Sequence, residues 1–365
     1  MSTPEPVAAV LAAGQVAPVG AELVLWSRAA GRRVVPLLAA DGDADESRAW
    51  RHEATLRIPG DVPEDWVERG TRVRLRASMV GSDGRTHWAP LVAGAITRRF
   101  RPVSRAAWSV TVRSPEWSVV RADFVRPVTV SGSAVSQLRR LVGEAAPGVP
   151  IEVDARVADV HAPERVYEPG SGSRMTAVTE LARTVGGAFF ATPAGGFRLA
   201  PLGSYRDGGP DWTVRQGFSL TDAGVEDDDE WYANVVVVEN RDGDSEDVRA
   251  VAFAQPGQPG YVGDVAFEAL TGAAAATGDE RGRGMFVRTL SLPVPHAQAA
   301  MWAARAFLDG MPQEVRRITF DAIDNPWITA GSRLHLVMDG RTSRHVVTRR
   351  PWSIPSAPTA FEIRR

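Results

Sequence analysis

Four consecutive valines at positions 235–238 constrain the fold of this chain more than any other feature of its sequence. β-Branched side chains lose rotamer freedom in a helix, so the run predicts a strand. A second β-prone segment, residues 248–254, follows a turn centred on Asp242 and Gly243, and glycine accepts the positive φ that a tight hairpin turn needs. Successive side chains of a strand point to opposite faces, so both faces are apolar here. We therefore expect a strand that is covered on both sides, by its own chain or by a partner.

The composition is that of an ordinary globular protein. The chain has 365 residues, of which 44% are hydrophobic and 24% are charged, and this length allows two or three domains. A formal net charge of −2 provides no basic field, so no recognition of nucleic-acid sequence is expected. The absence of cysteine excludes disulfides, Cys-ligated zinc and thiol catalysis. No apolar run approaches the length of a membrane span and no secretory signal is visible, so neither export nor stable membrane insertion is expected.

Strand and helix patterns divide the chain into parts. Residues 52–58 alternate apolar and polar side chains, which is typical of a half-buried strand. Ser133 and Ser173 precede two amphipathic segments as helix caps, and Pro295 suits the first turn of a third helix. The predicted fold is mainly β with an α+β insertion, with two small β-barrel or sandwich domains flanking the α+β module. The predicted parts are an N-terminal arm (1–20), a first β-barrel domain (21–114), an inserted α+β domain (115–207) and a second β-barrel domain with one helix (208–365).

Side chains that carry chemistry are scattered rather than grouped. The six histidines show neither i, i+4 pairing nor a His-Glu-x-x-His arrangement, so a zinc hydrolase is not indicated. Asp41, Asp43 and Asp45 resemble the opening of a calcium loop, but Glu46 and His52 stand where such a loop carries glycine and glutamate. Neither a phosphate loop with lysine nor a Gly-x-Ser-x-Gly elbow occurs. We therefore predict no catalytic residue, no metal site, no cofactor and no enzyme activity.

The chain is rich in tryptophan, with 11 such residues. In a β-rich protein most tryptophans pack in the core or at the ends of barrels. The alternative is that some of them anchor contacts with other proteins, where tryptophan and arginine are enriched. A platform for binding sugars is a third interpretation.

The order of four stretches is more informative than any single motif. They are residues 128–142, residues 175–201, the strand pair 232–238 with 248–252, and the pair 296–305 with 325–336. In this order they resemble the minor tail, or tail-tip hub, proteins of actinobacterial phages, which are related to the baseplate-hub proteins of tailed phages and contractile injection systems. The resemblance covers about residues 115–355. Ser332 stands where the family commonly has aspartate, and residues 1–114 fit by strand content only.

The resemblance implies a structural protein rather than an enzyme. Hubs of this family are homotrimeric rings at the end of the tail tube, in which two barrel domains per chain adapt sixfold rings to a threefold tip. The implied location is the tail tip of the virion, after assembly in the cytoplasm of the bacterial host. The implied partners are further copies of the chain, the distal tail and tail tube proteins, and the tip, spike or fibre proteins.

The same resemblance places the valine strand at the start of the second barrel, next to ring contacts. We therefore expect an assembly interface that includes Trp231, Val236 and Val238. On this hypothesis a charge at Val236 or Val238 blocks ring formation more than folding. Two alternatives remain: a tail-associated cell-wall hydrolase, which requires a further set of catalytic side chains, and a carbohydrate-binding β-sandwich.

Overall fold

The structure is a computed structural model that describes most of the chain. The described residues are 3–12, 20–103, 106–170, 172–202, 211–216, 219–227, 233–240, 248–254, 286–310, 316–338, 340–355 and 359–364. The fold is mainly β, as predicted. The helices are α1 (Glu5–Ala12), α2 (Glu116–Arg121), α3 (Ala134–Ala145), α4 (Arg174–Thr184) and α5 (Ala297–Gly310), with a 3₁₀ turn at Glu64–Trp66. Within the described ranges, no helix has the length and apolarity that crossing a membrane requires.

The strands fall into three groups along the chain. The first group is β1 (Gly20–Ser27), β2 (Gly31–Val35), β3 (Ala39–Asp45), β4 (His52–Pro59), β5 (Arg72–Val80), β6 (Thr86–Phe100) and β7 (Ala107–Arg113). The second is β8 (Val128–Ser133), β9 (Ile151–Val153), β10 (His161–Tyr167), β11 (Gly187–Ala191) and β12 (Phe197–Pro201). The third is β13 (Trp212–Arg215), β14 (Leu220–Asp227), β15 (Val235–Glu239), β16 (Arg249–Phe253), β17 (Val287–Ser291), β18 (Arg316–Ala322), β19 (Arg333–Met338), β20 (Arg341–Ile354) and β21 (Thr359–Arg364).

One large sheet contains the first group and most of the third. Its strands run in the order β14-β18-β21-β20-β3-β4-β7-β6-β5-β1-β2, and β19 pairs with both β13 and β20. Strand β20 makes this continuity possible because it is long enough to change partners. Its first half pairs with β19, its middle with β21, and its last residues, Arg349–Ile354, pair with Ala40–Asp45 of β3. The two β regions are therefore joined by backbone hydrogen bonds.

This continuity bears on the prediction of two small β-barrel or sandwich domains, because the barrel part of it is not confirmed. The strand pairing among the described residues follows an open path and closes no barrel. Each β region still has its own apolar core. One core lies against Leu56, Leu75 and Val110 of the first group, and the other lies around Phe320 and Phe361 of the third group. The alternating pattern of residues 52–58 predicted correctly which side chains of β4 are buried.

The α+β module, residues 115–202, has a core of its own. Helices α3 and α4 pack on each other and on a mixed sheet of β11, β12 and β9. Strands β8 and β10 form a second, two-stranded sheet. Ser133 caps α3 as predicted, because its hydroxyl accepts a hydrogen bond from the amide of Ser136 at 3.0 Å. Ser173 holds the same position before α4 but makes no side-chain capping bond.

The valine strand forms the centre of a separate small sheet. β15 pairs antiparallel with β16, which confirms the predicted hairpin, and pairs in parallel with β17. Helix α5 covers one face, where Val236 and Val238 pack in a cluster with four of its alanines, Ala299, Ala300, Ala303 and Ala304. Alanine side chains are short enough to let the helix approach the sheet closely. The hairpin thus lies in a three-stranded sheet that is separate from the large sheet.

The predicted N-terminal arm, residues 1–20, contains helix α1. Val7 and Leu11 are fully buried in a cluster with Met79 and Trp327. The hydroxyl of Thr3 donates to the carbonyl of Asp211 at 3.4 Å. An eight-residue helix is unstable alone in water, so α1 depends on this contact with both β regions.

We predict that Val238→Asp unfolds the unit formed by the valine sheet and α5. Burying an unpaired carboxylate between a sheet and a helix costs on the order of 4 kcal/mol or more, whereas Val238→Ala costs about 2 kcal/mol through the cavity that it leaves. Urea denaturation followed by circular dichroism measures both losses.

Val287→Asp is the matched control, because Val287 is 50% exposed on the neighbouring strand. We expect this control to stay within about 0.5 kcal/mol of the native protein. If Val238→Asp is as stable as the control, the face that we describe as buried is open.

Candidate functional site

Of the three predicted interface residues, the structure describes Val236 and Val238, and neither is exposed. Trp231 lies outside the described residues. Val236 and Val238, which we expected to face a neighbouring subunit, are fully buried against α5. Val235 and Val237 on the opposite face are 0% and 3% exposed, so the single chain covers both faces of the strand. The expectation of a strand covered on both sides holds, but the outward position of Val236 and Val238 is corrected: this pair belongs to the core.

The aspartates that resembled a calcium loop are part of a strand. Asp43 lies in β3, and its carboxylate binds Arg48 at 3.0 Å and Arg349 at 2.9 Å. Burial raises the pKa of Asp43, while both arginines act in the opposite direction. Across the described residues, no group of three or more potential ligand side chains could hold a metal ion.

Arginines of the same chain lie over several tryptophans of the first β region and over Trp117 of helix α2. Such stacking of a guanidinium on an indole is favourable and also shields the ring from other partners. Arg74 lies over Trp26, Arg76 over Trp88, and Arg113 over both Trp50 and Trp117, at 5.4, 4.3, 4.4 and 4.2 Å from the ring centroids. Trp26, Trp50 and Trp117 support the packing interpretation. Trp88 and Trp302 differ, because 39% and 54% of them are exposed.

A buried carboxylate joins the first β region to the α+β module. Glu116 begins helix α2 and is 2% exposed. Its Oε1 accepts a hydrogen bond from the amide of Ala191 at 2.6 Å, and its Oε2 accepts from the hydroxyl of Ser114 and from the amide of Arg51 at 3.3 Å. A carboxylate with several donors tolerates burial, since hydrogen bonds replace its lost hydration. Glu116 thus connects the start of β4, the end of β7 and the end of β11.

The third β group also contacts this place. It does so through the carbonyl of Ala330, which binds Arg51, and through its own Arg350. The guanidinium of Arg51 lies 4.0 Å from the ring centroid of Phe190 and donates to the carbonyl of Ala330 at 3.4 Å. Arg350 of β20 is 2% exposed and binds the carboxylate of Asp324 at 2.6 Å. We call this set the three-way junction: Arg51, His52, Ser114, Glu116, Ala191, Asp324 and Arg350. It lies where the two β regions and the α+β module meet, and it is the candidate site for holding their relative positions.

His52 is a neutral member of the three-way junction. It is 1% exposed, and its amide donates to the Ser114 hydroxyl at 3.2 Å. Burial lowers the pKa of His52 from 6.5 to about 3, and the nearby cations Arg51 and Arg350 act in the same direction, against the backbone of Ala191. This environment could not be predicted from the sequence, in which His52 only occupies an apolar position of an alternating strand.

We predict that Glu116→Ala lowers the free energy of unfolding by about 3 kcal/mol, since it leaves two amides and a hydroxyl without their acceptor. Chemical denaturation measures the loss. Hydrogen exchange at the Ala191 amide measures whether β11 detaches from the three-way junction.

Glu64→Ala is the control, because the Glu64 carboxylate is 60% exposed and pairs with Arg99 on the surface. It should change stability by less than about 1 kcal/mol. Equal losses for the two variants would show that Glu116 does not connect the module to the sheet.

A second prediction concerns pH. Between pH 6.5 and about 3, the unfolded chain binds a proton on His52 that the folded chain excludes. The contribution of His52 is therefore fully present above pH 6.5 and falls by up to about 1.4 kcal/mol per pH unit as the pH decreases through this window. Replacing the ring by a neutral apolar side chain, His52→Leu, should remove this share of the slope. Stability curves for native protein and variant that stay parallel between pH 7 and pH 5 would contradict the assignment.

Comparison with known proteins identifies solved structures that share this fold. No protein-family model matches the chain, and no curated protein matches it significantly. Solved structures do match over nearly the whole chain. The tail protein from Neisseria meningitidis MC58 has a TM-score of 0.61 and 14% identity, and the match covers 95% of this chain and 97% of that one.

Two further structures show the same likeness. The 43 kDa tail protein of prophage MuSo2 from Shewanella oneidensis has a TM-score of 0.58 and 9% identity, with 94% of this chain and 98% of that one covered. An E. coli component of the type VI secretion system, described as similar to bacteriophage T4 tail proteins, has a TM-score of 0.50 and 10% identity, with 93% and 76% covered. The chain therefore has the fold of phage tail and type VI secretion proteins, as the resemblance predicted.

Proposed function

We propose that this chain is a structural hub protein of a phage-like tail tip or baseplate. The observation that carries the proposal is the end-to-end match with the N. meningitidis tail protein, which covers 95% of one chain and 97% of the other. A match of this extent aligns the order of all parts, rather than a single common motif. At 14% identity it indicates a shared architecture, so the role itself is our inference.

The connections between the parts of the molecule suit a subunit that holds its neighbours in fixed positions. Strand β20 joins the two β regions, and the Glu116 carboxylate ties the α+β module to them. Packed and hydrogen-bonded elements of this kind move as one body, because their contacts do not deform continuously. A ring subunit at the end of a tail tube needs this property to hold its neighbours in register.

In the proposed role, three copies form a ring that joins the tail tube and distal tail ring to the tip, spike or fibre proteins. The proposed location is the tip of the virion tail, after assembly in the host cytoplasm. The function is architectural, with no reaction assigned to the chain. The hydrolase and carbohydrate-binding alternatives gain no support from a particular described feature.

The oligomeric state tests the proposal. Light scattering of the purified protein, combined with negative-stain images, is expected to show a ring with three times the 39.3 kDa mass of one chain. Obligate rings bury large interfaces, so the assembly should persist on dilution. A protein that is monomeric at every concentration and absent from purified tail particles would overturn the hub assignment.

A further inference from the structure

The large sheet ends at β2, an edge strand that is mostly exposed. In the strand order β2 is the last strand, and within the described residues it pairs only with β1. Arg32 and Arg33 are exposed on it, and Val34 is 52% exposed. In an antiparallel pair only every second residue exchanges backbone hydrogen bonds with its partner, so the other residues of β2 direct their N–H and C=O groups away from β1. Such an edge can take up a strand of another chain.

The strands at this edge carry an excess of positive charge. Strands β1, β2 and β5 together contain five arginines and one glutamate. The glutamate, Glu22, binds Arg76 at 2.9 Å. Arg32 and Arg72 are exposed, and among the described residues no carboxylate forms an ion pair with either of them. Two positive charges at this edge are therefore not neutralised by the described part of the chain.

Trp26 of β1 lies between these charges. Its register partners are Arg32 on β2 and Arg72 on β5, so the three side chains lie side by side on one face of the sheet. Arg74 lies over the Trp26 ring, 5.4 Å from its centroid. Stacking on the indole stabilises the position of this guanidinium without removing its charge. We call Arg32, Arg72 and Arg74 the basic edge.

Charge decides which strand can pair with β2. Charged side chains on an edge strand oppose unselective pairing. Two copies that met through β2 would bring Arg32 and Arg33 of both chains close together, and like charges in contact are unfavourable. The same arginines attract a strand that carries carboxylates. A second copy is therefore disfavoured as the partner at this edge, and an acidic strand is favoured.

A polypeptide fits this edge better than a nucleic acid does. Phosphate oxygens only accept hydrogen bonds, so they would leave the backbone carbonyls of β2 unpaired, whereas a peptide strand both donates and accepts. Single-stranded nucleic acids are bound through aromatic rings on which bases stack, and the Trp26 ring already stacks with Arg74. The exposed Val34 also suits contact with a side chain of a neighbouring strand.

We propose that β2 binds an acidic, extended segment of another protein, which joins the large sheet as a further strand beside the basic edge. β2 has five residues, so a segment of similar length spans it at about 3.3 Å per residue. Carboxylates at alternate positions of that segment face the same side of the sheet as Arg32. The proposal goes beyond the hub role and does not depend on the ring, because a single chain provides the whole surface.

The test uses the full-length protein and a fluorescein-labelled peptide of five Glu-Thr repeats, whose glutamates share one face of a strand. Fluorescence anisotropy gives the dissociation constant at low and high salt, since charge attraction between exposed groups weakens as salt increases. Hydrogen exchange at residues 31–35 reports strand addition, because pairing protects amides that a free edge exposes. A peptide of five Glu-Pro repeats has the same charge but lacks the N–H of every proline.

Charge reversal locates the contact. One variant carries Arg32→Glu and Arg72→Glu, and the matched control carries Arg126→Glu and Arg139→Glu, two exposed arginines of the α+β module that change the net charge equally. We expect the first variant to bind the Glu-Thr peptide about tenfold more weakly or worse, and the control to bind it as the native protein does. With native protein, the Glu-Thr peptide should protect residues 31–35 and bind more tightly than the Glu-Pro peptide.

Four outcomes would overturn the proposal. They are no binding of the Glu-Thr peptide to native protein at low salt, equal binding by the two variants, binding without protection of residues 31–35, and equally tight binding of the Glu-Pro peptide. Tighter binding of an oligonucleotide of ten thymidines, lost in the first variant only, would identify a nucleic-acid surface and overturn it as well. A monomer that binds the Glu-Thr peptide as expected would overturn the ring and support this contact.

Discussion

Strand β20 is the element on which the architecture depends. A single strand of 14 residues pairs with β19 and β21 at one end and with β3 at the other, so backbone hydrogen bonds connect segments about 300 residues apart in sequence. Arg349 reinforces the crossing point by binding Asp43 of one region and Glu362 of the other. The two β regions therefore form one hydrogen-bonded body.

The α+β module is attached to this body by chemistry of a different kind. Its own core is complete, and the attachment runs through the polar three-way junction around Glu116. A buried carboxylate with several donors specifies one arrangement, because any other leaves it without partners. Apolar packing alone would tolerate sliding of one part over another. His52, which is 1% exposed, is shielded from solvent at the same place.

Local features were predictable from sequence, and distant pairings were not. The valine run and its following turn indicated the β15–β16 hairpin, and the cap at Ser133 marked the start of α3. The valine run indicates that both faces of the strand are apolar, but not which element covers each face. The packing of α5 on Val236 and Val238 was therefore not predicted. The change of pairing partner along β20 produces no periodic pattern in the sequence, so it could not be predicted. Glu116 resembled every other carboxylate, because its role depends on amides that only the fold brings near.

The proposed tail-tip role combines a whole-chain likeness to tail proteins with two β regions that share one sheet. Electron cryomicroscopy of intact tail particles from the organism that encodes this chain tests whether it is a structural component of the tip. We expect threefold density at the tip end of the tube into which this chain fits as three copies. Absence of the chain from the particles, or its repetition along the tube, would contradict it.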